Sequence, residues 1–438
     1  MLLDTTIMTL AEELKEITIT RRRNLHRHPE SAWTEFRTAA FVADTLSELG
    51  YEVLTGKQAV DESAMLGVPK AITLAEHMKR AINQGANPKW VNKMGGGKTG
   101  VIGILNFKKP GPTVALRFDM DANDIIEIQQ DQHRPCKEGF TSINKGVTHA
   151  CGHDGHTAIG LAVAEILMKL KDDLAGTIKL IFQPAEEGVR GAKAMVTQGT
   201  VDDVDYILGM HLGLQMRKTG QFTCNVTDFL ATSAFDAEFI GFPAHAGAAP
   251  ETGKNALLAA SCATLNLHAI PRHSDGASRI NVGILSAGSG RNVIPANAIL
   301  KLETRGATSK INQYMVDEAQ KVIKSAAMMY DVEVKITEMG SAAGGNNTIE
   351  LTNNITQTAE RLSIFDEIVP TCKFGASEDF SYFMERVQAN GGQAAYMMIG
   401  ANLAAGHHDS YFDFDETALD LATKVLASAA VDLLTNKK

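Results

Sequence analysis

Five short clusters of this sequence contain the histidine, cysteine and acidic residues that commonly bind metal ions. Thiolate, imidazole and carboxylate together suit a borderline cation such as Zn²⁺, Mn²⁺, Co²⁺ or Ni²⁺, and they do not suit Ca²⁺ or Mg²⁺. Four or more such ligands with a bridging group would hold two cations about 3.5–4 Å apart, where they activate a shared water. The clusters are Asp119-Met120-Asp121, the segment 149–156, Glu186-Glu187, His211 and His407-His408-Asp409.

Each cluster has an ordinary structural explanation when it is taken alone. An Asp-x-Asp after a strand more often caps a turn, a Glu pair usually lies on a solvated surface, and a single Cys is most often a small buried hydrophobe. The segment His149-Ala-Cys151-Gly-His153-Asp154-Gly-His156 is harder to dismiss, because three histidines surround one cysteine. In Glu186-Glu187, one carboxylate can bind a metal while its neighbour accepts a proton from the attacking water. Spacing separates neither His407 from His408 nor the roles of the outer histidines of that segment.

The hydrophobic pattern explains how clusters so distant in sequence can meet. Apolar strands at 113–118, 177–182, 206–210 and 394–399 alternate with helices such as 157–170, which predicts a mostly parallel, buried sheet. Four of the five clusters come just after such a strand. In an open α/β sheet the carboxyl ends of the strands share one edge, and ligands bind there. We therefore expect the clusters to form one site at this edge.

A different order of predicted elements begins near Val226. It is β-α-β-β-α-β, which predicts a ferredoxin-like unit of about 110 residues. The αβ pattern returns after it, so the simplest interpretation is one α/β domain interrupted by a smaller one. We assign residues 1–224 and 339–438 to the metal-binding catalytic domain and residues 225–338 to the insertion.

Composition excludes several other classes of protein. The 438 residues include 42 basic and 51 acidic side chains, which give a net charge of −9. The one basic triplet, Arg21-Arg22-Arg23, can be solvated on a helix. Both observations argue against a nucleic-acid partner. No apolar run is long enough to span a membrane, and no signal-peptide pattern is present. Five scattered cysteines predict a cytoplasmic protein without a disulfide framework. Neither Gly95–Gly100 nor Gly288-Ser289-Gly290 matches a nucleotide-binding loop.

Three motifs give the chain a family resemblance. His149–Thr157, Gln183-Pro-Ala-Glu-Glu-Gly188 and Phe374-Gly-Ala-Ser-Glu-Asp-Phe380 resemble the dimetal amidohydrolases of the aminoacylase and carboxypeptidase type, in the branch of hippurate and auxin-conjugate hydrolases. The insertion at 57–98 and the segment 404–409 most resemble the members of that branch that hydrolyse p-aminobenzoyl-glutamate. The resemblance implies a zinc-peptidase-like α/β catalytic domain with a mostly parallel sheet, interrupted by a ferredoxin-like (βαββαβ) α+β lid and dimerisation domain.

The same resemblance implies the metal centre. Its ligands would be Cys151, His153, Glu187, His211 and His408, with Cys151 as the bridging candidate and two divalent ions in each protomer. Zn²⁺ or Mn²⁺ is the first expectation, with Co²⁺ or Ni²⁺ as alternatives. His408 is preferred over His407 because the family's ligand precedes two variable residues, an aromatic or long side chain and Phe, here Asp409-Ser410-Tyr411-Phe412.

Further roles follow from the resemblance. Glu186 would be the general base, and Asp121 would orient a ligand imidazole. His245 would stabilise the oxyanion in a neighbouring protomer's active site, while Asn292 and Arg305 would hold the substrate's carboxylate. The implied reaction is hydrolysis of a small N-acyl amino acid, first of all p-aminobenzoyl-glutamate, with hippurate-type compounds or dipeptides as alternatives.

The expected assembly is a homodimer through the small domain, or a complex with a related second subunit. A catalytically inactive relative that binds metal or an amino acid is the alternative from another class. The chain departs from the branch at Asn123-Asp124-Ile125-Ile126, where Leu-Pro is common.

Overall fold

The computed structural model describes residues 2–435, which form two compact units. The first unit contains the chain up to Thr227, Asn346–Phe374 and the chain from Asp379 onward, and the second contains Asp228–Gly345 and Gly375–Glu378. The second unit begins later than residue 225, because the strand Val226–Thr227 pairs with Cys372–Lys373 of the first unit. It ends later than residue 338, because its last strand stays paired as far as Ala342.

The strands are numbered along the chain. Within residues 2–435 they are β1 (Glu52–Thr55), β2 (Val101–Asn106), β3 (Lys109–Asp119), β4 (Ala175–Gln183), β5 (Tyr206–Leu212), β6 (Gln221–Thr223), β7 (Val226–Thr227), β8 (Ala231–Ile240), β9 (Ser278–Ala287), β10 (Asn297–Gly306), β11 (Glu333–Ala342), β12 (Glu367–Ile368), β13 (Cys372–Lys373) and β14 (Gln393–Ile399).

The helices are numbered in the same way. Within the same residues they are α1 (Leu2–Arg27), α2 (Phe36–Leu49), α3 (Ala71–Asn83), α4 (Pro88–Val91), α5 (Arg134–Lys137), α6 (His153–Lys169), α7 (Ala192–Thr197), α8 (Ala256–His268), α9 (Ser309–Met329), α10 (Ile349–Leu362), α11 (Phe380–Ala389) and α12 (Thr417–Thr435). None of the helices described has both the length and the apolar character needed to cross a membrane.

The first unit is built on an eight-stranded sheet with the order β1-β2-β4-β3-β5-β14-β6-β12. The four central strands, β4, β3, β5 and β14, run parallel to one another. Antiparallel pairing occurs where β2 meets β1 and β4, and where β6 meets β14. The expectation of a mostly parallel, buried sheet is therefore confirmed, in a mixed form.

Helix α6 packs closely on this sheet and positions the cysteine-histidine motif. A Cβ at Gly160 would lie 2.7 Å from the Phe118 ring and 2.8 Å from the Phe182 ring, so only glycine permits this approach of α6 to β3 and β4. The helix begins at His153, whereas the apolar pattern predicted its start at 157. Gly152 precedes it with φ 90, a left-handed conformation that glycine adopts without strain. The first turn of α6 therefore contains two histidines of the motif.

The second unit has a four-stranded antiparallel sheet with the order β11-β8-β10-β9. Together with α8 and α9 it has the β-α-β-β-α-β order expected from the sequence. Along β10, Leu300, Leu302 and Thr304 are buried, and the two leucines belong to the core that these helices cover. The intervening residues Lys301, Glu303 and Arg305 therefore lie on the opposite face of the sheet.

Candidate metal centre

Cys151 belongs to two groups of metal-binding side chains. Ligand atoms of Cys151, His153 and Glu187 all lie within 4.8 Å of one another, and so do those of Cys151, His211 and His407. The thiol sulfur is 3.5 Å from Nε2 of His211. These residues come from the start of α6, the end of β5 and the loops after β4 and β14, so the predicted edge of the sheet brings them together. His153 and His211 form a third group with His156, so each of them is also shared by two groups. The sulfur lies close to both imidazoles, and its bridging of two cations stays a prediction.

The charges of the centre fit a divalent cation. Burial, and next the Glu187 carboxylate, raise the pKa of the Cys151 thiol well above its usual range. Burial alone would lower the pKa of His153, but Asp119 and Asp121 raise it to about 10. Nε2 of His153 is buried and has no hydrogen-bond partner within residues 2–435. A cation would ionise the thiol and give this nitrogen a partner, because a coordinating thiol is deprotonated outright.

Asp121 holds both glutamates and one histidine in place. Its carboxylate accepts hydrogen bonds from the backbone N–H of Glu186 at 3.0 Å and of Glu187 at 2.9 Å. Its backbone oxygen accepts a bond of 2.9 Å from Nδ1 of His153. That bond fixes the tautomer and leaves Nε2 of His153 facing the centre. Asp121 is thus placed to orient ligands, as partners of metal-binding histidines commonly do.

The loop that carries the two glutamates is also held at both ends. The Glu35 carboxylate accepts the backbone N–H of Ala185 at 2.8 Å, and Asp379 accepts those of Gly191 at 3.1 Å and Ala192 at 2.9 Å. Ala185 has φ 53, a left-handed conformation that is costly for a residue with a Cβ. Burial, and next the charge of Asp121, raise the pKa of Glu35 to about 8. Buried acids therefore fix the conformation of Glu186-Glu187.

The outer histidines of the motif have different environments. Nδ1 of His156 donates to Asp119 at 2.6 Å, and its Nε2 accepts the backbone N–H of Leu212 at 3.1 Å. Both ring nitrogens are hydrogen-bonded, so His156 as placed here supports the centre, and it also forms a group of possible ligands with His153 and His211. His149 is buried with neither ring nitrogen hydrogen-bonded within the described residues, and burial lowers its pKa to about 3.

Both histidines of the 407–408 pair adjoin the centre. Nε2 of His408 lies 3.2 Å from Oε1 of Glu187, and the residue has φ 64. His407 donates from Nε2 to the carbonyl of Leu212 at 3.2 Å, and its ring centroid is 5.3 Å from that of His211. His211 donates from Nδ1 to the same carbonyl at 2.7 Å, so its Nε2 faces Cys151. The choice of His408 as the ligand stays a prediction.

The loop that departs from the related sequences contributes to the centre. The Asn123 side-chain oxygen accepts the backbone N–H of Ala150 at 3.1 Å, and the side chain also bonds to the Glu187 carboxylate. Burial would raise the pKa of Glu187, but His408, His153 and this bond lower it to about 2. Asn123 thereby connects the loop after β3 with a predicted ligand.

Arg22 holds together segments beside the centre, a role that the sequence did not reveal. The prediction that the basic triplet Arg21-Arg22-Arg23 is solvated is wrong for Arg22, because this side chain is fully buried. Its guanidinium donates to Asp154 at 2.9 Å, Asp413 at 2.8 Å and Glu416 at 3.2 Å. Asp154 follows His153 in α6, and Asp413 follows the histidine pair. Arg22 therefore connects two segments that carry predicted metal ligands.

The predicted residues of the second unit lie at two ends of its sheet. Nδ1 of the exposed His245 accepts backbone N–H groups at 3.1 Å each from Gly247 and Ala248, which leaves Nε2–H as a donor. The Asn292 carbonyl accepts the N–H of Ala246 at 2.9 Å, so these loops adjoin. Arg305 lies at the other end of β10. It is eight positions along the strand from Asn297, roughly 26 Å at 3.3 Å per residue. Arg305 and Asn292 are therefore not brought together within this unit.

Comparison with known proteins relates this arrangement to a family. Residues 115–432 match the model described as Peptidase family M20/M25/M40. The chain is 49% identical over 412 residues to one of the subunits of p-aminobenzoyl-glutamate hydrolase from Escherichia coli (strain K12), covering 94% of each chain. It is 48% identical over 412 residues to the indole-3-acetyl-aspartic acid hydrolase of Enterobacter agglomerans, again covering 94% of each. The crystal structure of an aminobenzoyl-glutamate utilization protein from Klebsiella pneumoniae superposes with a TM-score of 0.84, at 41% identity, over 96% of this chain and 97% of that one.

Proposed function

Because the chain belongs to the M20/M25/M40 peptidase family, we propose that it is a metal-dependent amidohydrolase that releases an acidic amino acid from an N-acyl conjugate. The first candidate substrate is p-aminobenzoyl-glutamate, with p-aminobenzoate and glutamate as products. Two relatives of nearly equal identity are named for conjugates of glutamate and aspartate, which supports an acidic amino acid. The observation that carries the proposal is that three groups of possible ligands overlap at Cys151, His153 and His211, with Glu186 beside them.

The proposed centre holds two divalent cations, Zn²⁺ or Mn²⁺ in the first instance and Co²⁺ or Ni²⁺ as alternatives. Cys151 would serve both positions, His153, Glu187 and His408 would complete one, and His211 would complete the other. Bound cations supply a water of lowered pKa, near 7, and polarise the amide carbonyl. The mixed thiolate, imidazole and carboxylate donors support this choice of metals.

Glu186 would move the proton in the reaction. Its Oε2 lies 3.9 Å from Nε2 of His153, so the carboxylate is next to the proposed ligands but is not needed as one of them. It would take a proton from the attacking water and return that proton to the leaving nitrogen of the amino acid. Asp121 would keep it in position through the backbone bond to Glu186.

We also propose that the active site uses two copies of the chain. Asn292 and Arg305 cannot reach one carboxylate within a single second unit, whereas a homodimer through this unit would let His245 and Asn292 act in the partner's site. Mixing the inactive variants His245→Ala and Glu186→Gln should then restore part of the wild-type activity, because a mixed dimer contains one complete site. Each variant refolded alone is the control. No recovery on mixing, or a fully active monomer at high dilution, would contradict the proposal.

The substrate assignment is tested with the purified chain, loaded with Zn²⁺ or Mn²⁺. Release of glutamate from p-aminobenzoyl-glutamate should have the highest kcat/KM in a panel with indole-3-acetyl-aspartate, hippurate, N-acetyl amino acids and dipeptides. Faster cleavage of hippurate or a dipeptide would contradict the substrate. A chain with full metal content that hydrolyses none of these compounds would be either an inactive binding protein or an enzyme that needs a related second subunit. Adding the second subunit distinguishes the two, because only the enzyme would then become active.

We place the enzyme in the cytoplasm. Cys136, Cys151, Cys224, Cys262 and Cys372 are all free thiols in the structure. Free thiols are the usual state of cysteines in a reducing compartment, and a metal-binding thiol needs to stay reduced. This supports an intracellular site of action.

A further inference from the structure

The open face of the second unit's sheet contains a cavity rich in arginine. Its volume is about 450 Å³, within the range of small-molecule sites. We propose that this cavity binds the side-chain carboxylate of the acidic amino acid, and that Arg279 is the residue that recognises it. The inference rests on the proposed function and adds the residue that sets its specificity. The lining residues are Arg272, Arg279, Ile280, Asn281, Glu303 and Arg305.

The cavity has more positive than negative charge. Arg305 is bound to Glu303 by two hydrogen bonds, of 2.9 and 3.1 Å. Arg272 donates only to a backbone carbonyl, that of Ile270, at 3.2 Å. The Arg279 guanidinium has no hydrogen-bond or ion-pair partner among the residues described, 2–435. Three guanidinium groups and one carboxylate leave a net charge of +2, which matches the two carboxylates of a glutamate or aspartate.

The strand register places two of the arginines face to face. Arg279 on β9 is directly opposite Arg305 on β10, and Asn281 is opposite Glu303. Side chains directly opposite one another have Cβ atoms about 4.5–5.5 Å apart, and like charges in that position destabilise a sheet. Carboxylates bound at these two guanidinium groups would offset this repulsion, and the planar guanidinium fork suits carboxylate geometry.

These side chains are not needed for the core of the unit. Ile280, Leu302 and Thr304 are buried on the helix-covered side, whereas Arg279 and Asn281 alternate with Ile280 and are exposed. The family resemblance implies that Arg305 holds a carboxylate of the substrate. Arg279, whose guanidinium has no partner among the residues described, would then bind the second carboxylate. This second carboxylate distinguishes glutamate from neutral amino acids.

The test is Arg279→Gln in the full-length, metal-loaded enzyme, assayed on p-aminobenzoyl-glutamate and on its neutral analogue p-aminobenzoyl-glutamine. We expect KM for the glutamate compound to rise about 10- to 100-fold, the loss of one charge-assisted contact, with kcat within about twofold. KM for the glutamine compound should stay unchanged. Glu303→Gln should act in the opposite direction and lower KM for the glutamate compound. Lys301→Gln is the matched control, because Lys301 lies on the same face of β10 and pairs with Asp236.

Binding of free L-glutamate, measured by calorimetry, separates this inference from the proposed function. Wild type should bind glutamate, and Arg279→Gln should bind it at least about 10-fold more weakly at an unchanged melting temperature. Unchanged glutamate affinity and unchanged KM in Arg279→Gln would overturn the inference, even if wild type hydrolyses p-aminobenzoyl-glutamate. A wild type that binds glutamate through Arg279 but hydrolyses no acidic conjugate would instead contradict the proposed function alone.

Discussion

Glu186→Gln should lose roughly 10²–10⁴-fold in kcat and keep its full metal content, the effect of removing a general acid–base. The amide is nearly isosteric with the carboxylate, so the backbone bond from Glu186 to Asp121 persists. The amide side chain cannot accept the proton of the attacking water or return one to the leaving nitrogen. The measurement combines steady-state kinetics with metal analysis of the same preparation.

The neighbouring residue provides the matched control. Glu187→Gln makes the same chemical change one position along the chain, where the carboxylate lies 3.2 Å from Nε2 of His408. It should reduce metal content as well as activity. If Glu186→Gln retained amide hydrolysis near the wild-type rate, or if the two variants lost metal equally, the assigned division of roles would fail.

Cys151→Ala should lower both the metal content and the activity, because the thiol belongs to two of the three overlapping groups of possible ligands. Metal ions contribute several kcal/mol to stabilising the charge of the transition state, so a loss of about 4 kcal/mol corresponds to a fall in kcat of about 10³-fold. Metal analysis after dialysis and activity at saturating substrate are the measurements.

Cys224→Ala is the control for this substitution. Cys224 is 1% exposed and lies in the hydrophobic core, so its removal creates a buried cavity of the same kind without removing a ligand. It should keep its metal and its kcat. A Cys151→Ala enzyme that retains two ions per chain would show that the sulfur does not bridge them.

The sequence predicted the parts of this protein that depend on local hydrophobic pattern. The apolar strands β3, β4, β5 and β14 are recognisable in isolation, and their carboxyl ends share an edge in any parallel sheet. The start of α6 was missed because the residues around His153 are polar or glycine and have no helical periodicity. The strands β6 and β12 were missed because they are only three and two residues long. The helix α11 was missed although its buried residues Phe380, Phe383, Met384 and Val387 have helical spacing.

Residues whose role depends on distant partners could not be predicted. Arg22 is separated by 132 residues from Asp154 and by 394 from Glu416, and only the fold shows that these charges are buried together. Glu35 gives no signal in the sequence, because its distant partners are the backbone of Ala185 and the hydroxyl of Thr99. The hydrogen bonds of His156 to Asp119 and to the Leu212 backbone could not be predicted from its spacing either. Such contacts leave no local periodicity to read.

The central claim is that Cys151 joins two cations at the edge of the sheet. Anomalous diffraction from crystals grown with Zn²⁺ tests it most directly. We expect two peaks, each about 2.3 Å from the Cys151 sulfur, with Glu187 and His408 on one of them. Peaks that lie elsewhere would contradict this claim. So would a structure in which Cys151, Glu187 and His408 are too far apart to contact a common ion.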